Sequence, residues 1–145
     1  VREILLRNNP THAIELHDGT LAVSLIGPVH GVSIMSTDGQ VLRTYGSTTR
    51  GSGAGQMNDP RGLAVDRQGF LLVADKDNNR ILVVSPQLTA ARPLPLPTDS
   101  EVTSPIALWF DESRGRLYVG ECVGQHRVLV IDNVFNIRSA LQCSA

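Results

Sequence analysis

The sequence is short of lysine, of aromatic residues, of cysteine and of any long apolar run, and each shortage removes a class of function. Lys76 is the single lysine among 13 basic residues, set against 14 acidic ones for a formal net charge of -1. No overall field draws such a chain to a nucleic acid backbone or an anionic membrane. The arginine bias mildly favours bidentate recognition. Aromatic residues make up 4%, few for a surface that reads single-stranded RNA by stacking. No apolar run approaches the roughly 18 residues of a membrane-spanning helix, and no basic-plus-apolar leader stands at the start. The expectation is a soluble protein with no membrane contact, cytoplasmic, with an extracellular location left open. Cys122 and Cys143 are the two cysteines; they lack Cys-x-x-Cys spacing and read as free thiols or as one bridge. Also missing is any apolar i, i+3, i+4, i+7 pattern sustained over three turns, so helix is at most a minor component.

What is there is strand-length apolar sequence broken by turn residues. Within 145 residues, 41% of them hydrophobic, one domain with a modest core is expected. Gly51 to Val84 sets the pattern. A Gly-rich lead-in meets Asp59-Pro60, and three apolar runs follow at Leu63–Val65, Phe70–Ala74 and Ile81–Val84. The breaks between them, Asp66–Gly69 and Asp75–Asn79, are rich in residues that tolerate turn geometry.

This meander repeats. Pro60–Asp66 returns as Pro105–Asp111, Leu71–Asp75 as Leu117–Glu121, and Asn79–Val83 as His126–Val130, each turn having gained one residue. A more worn copy precedes them, with Pro10 and Gly19 spaced as Pro60 and Gly69 are, Leu21–Val23 at the second strand and His30–Ile34 at the third. Gly31 stands in this copy where the others have Arg80 and Arg127. A fourth extended stretch follows each third strand: Gln40–Tyr45, Arg92–Leu96 and Phe135–Leu141. The Pro93 to Pro97 alternation fits only an edge strand or extended coil, because proline donates no ladder hydrogen bond. Four strands per unit at about 45 to 50 residues is the period of a propeller blade. We therefore expect an all-β chain of four-stranded antiparallel blades, with blades at 10–46, 51–97 and 104–142.

The residues that carry this pattern, Gly51-x-Gly53-x-Gly55, Pro60-x-Gly62-Leu63-Ala64-Val65-Asp66-x-x-Gly69, Val73-Ala74-Asp75 and Asn78-Asn79-Arg80-Ile81, resemble the NHL repeat. The resemblance implies a blade of a six-bladed propeller, like those ending tripartite-motif NHL proteins. Three blades are half of that ring, so each end of the arc would leave an apolar face uncovered. At about 25 cal/mol per Å² and on the order of 500 Å² per face, that is roughly 12 kcal/mol per end, as large as the net stability of a domain. The expectation is an excerpt of a longer propeller, the chain starting at Val1 without methionine, or else a homodimer of two arcs closing a six-bladed ring.

Few residues suggest chemistry. Gly51–Gly55 is followed by Asp59-Pro60 and a strand instead of a helix, so it reads as a connection between blades and not as a phosphate cradle. Asp75-x-Asp77-x-Asn79 opens like a calcium loop, but Arg80 and Pro86 replace the required Gly and Glu. It reads as a polar turn in which Asp75 and Arg80 pair. Of the histidines, His12 aligns with Gly62 and Ala107 and His17 lies in a turn, where a metal ring would repeat; His30 and His126 align with each other and with Asn79, at a position where the resemblance implies His as a habit of the turn. Asp66 and Asp111 read as turn caps. No cofactor or metal site is expected.

Loops entering each first strand and joining the second to the third share one face. That face gathers Arg50, Met57, Asn58, Arg61, Lys76, Asn78, His30, Gln125 and His126, mixed and mildly basic, as binding loops often are. The expectation is a non-catalytic interaction module that binds a protein partner there, in a tripartite-motif-type ubiquitin ligase. Two alternatives stand beside it. One is an RNA-binding propeller using the same cations. The other is a piece of a metal-dependent propeller lyase or hydrolase, which the resemblance to some propellers implies.

Overall fold

A computed structural model describes residues 1–142. Three antiparallel sheets follow one another along the chain. The first contains β1 (Asn9–Glu15), β2 (Leu21–Ile26), β3 (His30–Met35) and β4 (Val41–Ser47). The second contains β5 (Pro60–Val65), β6 (Leu71–Asp75), β7 (Arg80–Val84) and β8 (Ala91–Pro93). The third has three strands, β9 (Pro105–Asp111), β10 (Arg116–Glu121) and β11 (Val128–Ile131). Each sheet is a meander in which chain neighbours pair. The all-β expectation holds, and among the described residues the helical elements are two short 3-10 turns, Lys76–Asn78 and Ile137–Leu141.

The turns form where the sequence supplies local acceptors. Asp66 Oδ1 accepts the N–H of Gln68 and Phe70, and Asp111 Oδ1 accepts from Ser113 Oγ and Arg114 N. Asp18 does the same for Thr20. These Asx turns reverse the chain at the end of each first strand, and Gly19 and Gly69 complete two of them at φ of 82° and 87°.

The second sheet is the centre of the molecule. Along β6 and β7, Leu71, Val73, Leu82 and Val84 face the first sheet and meet Ala22, Val32, Ile34 and Met57. Their neighbours Leu72, Ala74, Ile81 and Val83 face the third sheet and meet Leu117, Val119 and Ile131. Because side chains alternate across a strand, a sheet covered on both sides needs apolar residues at every position. That is why Leu71–Ala74 and Ile81–Val84 are unbroken apolar runs. Each such Leu, Ile or Val stabilises by about 1.5 to 3 kcal/mol.

The innermost strands approach closely. A Cβ on Gly62 would lie 2.8 Å from Ile106 O and 2.9 Å from Ala107 Cα, so no side chain fits there. On the other side of β5, Thr11 Oγ1 donates to Pro60 O (2.7 Å), Ser24 Oγ to Arg61 O (2.6 Å), and Leu63 N to His12 Nδ1 (2.9 Å). His12 is thus a fastener between sheets.

Two expectations need correction. The stretch Phe135–Leu141 is not a fourth strand, for Ile137–Leu141 forms a 3-10 helix. In that helix residues three apart share a side, which lets Ile137 and Ala140 both bury in the cluster between the second and third sheets. Met57 is not on the loop surface. It is 0% exposed and fills the core between the first two sheets. The other fourth stretches are strands, β4 and the edge strand β8, the latter giving way to coil after Pro93.

Candidate functional site

Register places the starts of β1, β5 and β9, the ends of β2, β6 and β10, and the starts of β3, β7 and β11 at one end of the molecule. Asn9 pairs with Ile26, Pro60 with Asp75, Asp75 with Arg80, and His30 with Ser47. Hydrogen bonds join these ends across the sheets. Asp59 N donates to His30 Nδ1 (3.4 Å) and Ser104 N to Asn79 Oδ1 (2.9 Å).

Two buried carboxylates organise this end. Asp75, 0% exposed, accepts Asn58 N (2.7 Å), Asn78 Nδ2 (2.8 Å) and Arg80 Nε (2.7 Å). Arg80 then reaches Ser52 O and Gln56 O (both 3.1 Å), and Asn78 Nδ2 also donates to Gly51 O (2.8 Å). The whole 51–58 connection is thereby clamped to the end of β6. In the third sheet Glu121 accepts Thr103 N (2.7 Å) and Arg127 Nε (2.8 Å), and Arg127 reaches Glu101 O (3.1 Å). The repeated arginine pairs with its carboxylate, as read from the sequence for Asp75 and Arg80, and it also clamps a loop, which the sequence did not reveal. The first copy lost both halves together, with Leu25 and Gly31 at those positions. Gly31 is further fixed by β4, since a Cβ there would fall 2.1 Å from Tyr45 O.

Asp59 is a third hub, and sequence reasoning missed it. Its φ of 56° turns the chain just before β5 and aims its carboxylate at two cations. Arg61 Nε lies 2.8 Å from Oδ1, and Lys76 Nζ lies 2.8 Å from Oδ2. Burial pushes the Asp59 carboxyl up, but the Arg61 and Lys76 bonds and charges outweigh it and hold it below the ordinary value. Lys76 is raised in turn by its bonds to Asp59 and Asp77. The detectable signal was the Asp-Pro-Arg order with Lys76 at the facing turn.

The nominated residues divide into two groups. His30, Asn58, Arg61, Lys76 and Asn78 come together around Asp59 and Asp75, where their polar groups are largely spent on the fold. His30 is buried at 7% exposure, and Asn58 Oδ1 is buried without a partner. Arg50, Gln125 and His126 are exposed and make no hydrogen bond or ion pair among the described residues. His126 matches Asn79 in backbone, with φ of 48° against 51°, whereas aligned His30 lies within a strand.

This arrangement holds loops and offers polar contacts. Among the described residues no three His, Cys, Asp or Glu side chains gather as metal ligands, and no helix is long and apolar enough to cross a membrane. Cys122 Sγ lies 3.6 Å from Ser104 O; Cys143, its candidate partner in a bridge, lies outside the described residues.

Three meander sheets packed in series, with clamped loops at one end, define an all-β repeat protein built of propeller-like blades. Residues 57–84, which span β5 to β7, match the NHL repeat family. The chain is similar to the E3 ubiquitin-protein ligase TRIM71 of Mus musculus, 46% identical over 43 residues, which is 30% of this chain and 5% of that protein. The Rattus norvegicus TRIM71 ligase is 43% identical over 48 residues, 33% of this chain and again 5% of the relative. Among solved structures, a protein of unknown function from Bacteroides caccae shares the fold at a TM-score of 0.52 and 15% identity, covering 86% of this chain and 46% of that one. The chain thus corresponds to a small part of the ligases and to less than half of the bacterial protein.

Proposed function

We propose that this chain is a non-catalytic interaction module, three successive blades of an NHL propeller, which binds a protein partner through its clamped loop end. The observation that carries this reading is the contrast at that end: Arg50, Gln125 and His126 are exposed and make no hydrogen bond or ion pair among the described residues, beside the 51–58 and 101–103 connections that carboxylate–arginine pairs hold in place. Pre-ordered loops lose little entropy on binding, which favours affinity. The likeness to TRIM71 supports a ubiquitin ligase as the parent, with the loop end selecting a partner for it.

The stack continues past the third sheet. Trp109, Val128 and Val130 are 60%, 64% and 50% exposed, while Ala64, Ile81 and Val83 at the same repeat positions are 9%, 1% and 0%. A further blade covers this face in a longer protein. A second copy closing a six-bladed ring is the other cover, and light scattering over a dilution series separates it as a stable dimer.

The loop end is tested by a triple variant, Arg50→Ala, Gln125→Ala and His126→Ala, in nuclease-treated affinity capture. The reading expects a captured protein that falls at least tenfold with the variant. Capture that is unchanged refutes it. Capture that nuclease abolishes, with short RNAs released steeply by salt, favours RNA instead. The latter is disfavoured by charge, since Arg61 and Lys76 already share Asp59 and Arg80 is spent on Asp75.

A further inference from the structure

The third sheet has an unfilled position. In the first two sheets the third strand is covered on its outer edge by β4 and β8. In the third sheet the chain leaves β11 at Asp132, and the helix at Ile137–Leu141 packs on β7 and β8 instead. Glu121 N donates to Arg127 O (3.0 Å), and β10 pairs Leu117 with Ile131 and Val119 with Leu129. By antiparallel alternation, Arg127, Leu129 and Ile131 spend their backbone groups on β10, while the N–H and C=O of Val128 and Val130 point to the open side. No backbone partner meets them among the described residues. At the matching position of the second sheet, Ile81 O accepts Leu94 N (2.7 Å) and Val83 pairs with Arg92.

The space beside this edge suits a strand. Two grooves of about 340 and 190 Å³ flank it, lined by apolar Leu94, Leu96, Leu129, Ile131 and Val134. Exposed edges are normally blunted by proline or charge. The β8 edge carries Arg92 and Pro93 and β4 carries Arg43, but Val128–Ile131 carries neither device. At the start of β11, Asp99 and Glu101 are exposed, and neither carboxylate has an ion-pair partner among the described residues.

We propose that the open edge of β11 is a second docking site, which takes an extended segment of a partner protein as the fourth strand of the third sheet. The incoming strand runs antiparallel to β11, as β8 does to β7. Its main chain bonds Val128 and Val130, and its apolar side chains opposite Leu129 and Ile131 enter the grooves. Its C-terminal end lies beside Asp99 and Glu101, so a basic residue there completes the match. This site lies apart from the loop end and stands or falls independently of it.

The probe is a fluorescent synthetic peptide with the sequence of residues 40–47, the outer-strand sequence of the first sheet, extended by two C-terminal lysines, read by anisotropy. Wild type should bind it saturably. Val130→Pro removes a donor that β10 does not use and should weaken binding at least tenfold. The surface variant Asp99→Lys with Glu101→Lys, which leaves the fold's hydrogen bonds intact, should weaken it about fivefold or more, and should weaken the lysine-free peptide far less. The loop-end triple variant should bind the probe as wild type does. Absence of saturable binding to wild type, or equal binding by wild type and the charge-reversed variant, overturns the proposal. So does a wild-type dimer that Val130→Pro converts to monomer, which would assign the edge to a second copy.

Discussion

Replacing Arg80 with alanine removes the cation from a carboxylate that has no access to water. Asp75 is 0% exposed and the Arg80 side chain 17%. Removing one partner of a buried pair costs about 3 to 5 kcal/mol; Asp75 keeps the N–H of Asn58 and the amide of Asn78, so we expect the lower end, about 3 kcal/mol. The clamp on Ser52 O and Gln56 O goes with it, and amide exchange at 51–58 should accelerate as those loops open locally. Urea unfolding followed by circular dichroism gives the first quantity and hydrogen exchange the second. The first copy supplies an internal control. Leu25 and Gly31 stand there in place of both halves, so Asp75→Leu added to Arg80→Ala should cost less than the sum of the two single changes, a coupling of about 1 to 2 kcal/mol, the remaining cost coming from the Asn58 N–H and the Asn78 amide that lose their acceptor. Arg127→Ala should cost less, about 1 to 2 kcal/mol, because Arg127 is 37% exposed. A loss under about 1 kcal/mol for Arg80→Ala, or simple additivity of the two changes, would refute the clamp.

Three further outcomes follow from the same geometry. Asp59→Asn should destabilise by about 1 to 2 kcal/mol near neutral pH. Because the folded carboxyl lies below its ordinary value of 3.8, the wild-type advantage is present above that value and fades as pH falls through the folded one. Asp66→Asn should go the other way. Burial raises the Asp66 carboxyl in spite of the Phe70 and Gln68 N–H bonds, and Glu112 adds to the rise. An asparagine that keeps those N–H partners should match or exceed wild type near neutrality, and the gain should vanish as pH falls through the raised folded value to below 3.8; urea titrations across pH read both. Gly62→Ala should cost about 2 kcal/mol or more in thermal unfolding, since its Cβ meets the backbone of β9 at 2.8 to 2.9 Å.

The strands and their order were legible because each copy repeats short apolar runs at fixed spacing between turn residues. Leu71–Ala74 and Ile81–Val84 were legible as strands by length, but only the packing shows that both faces of their sheet are covered. The misses have particular causes. Phe135–Leu141 has strand-like composition, but nothing local reveals that Ile137 and Ala140 are drawn three apart onto another sheet. Met57 sits in a loop by sequence and in the core by contact, which only the closing of the 51–58 connection decides. At the loop end, the sequence pattern brought His30, Asn58, Arg61, Lys76 and Asn78 to one end of the molecule, yet did not reveal which polar groups the fold itself uses. That depends on Asp59, whose left-handed turn and two cations come together from β5 and the 76–78 turn.

The most direct test of the loop end as the binding surface is site-specific photo-crosslinking. A crosslinker is placed at Arg50 or Gln125 on the clamped end, and at exposed Gln87 on the opposite end, in the full-length parent in cells. The account predicts one protein partner joined from Arg50 and Gln125 and not from Gln87. Crosslinking to that partner from Gln87 alone, or to RNA from Arg50, would contradict it.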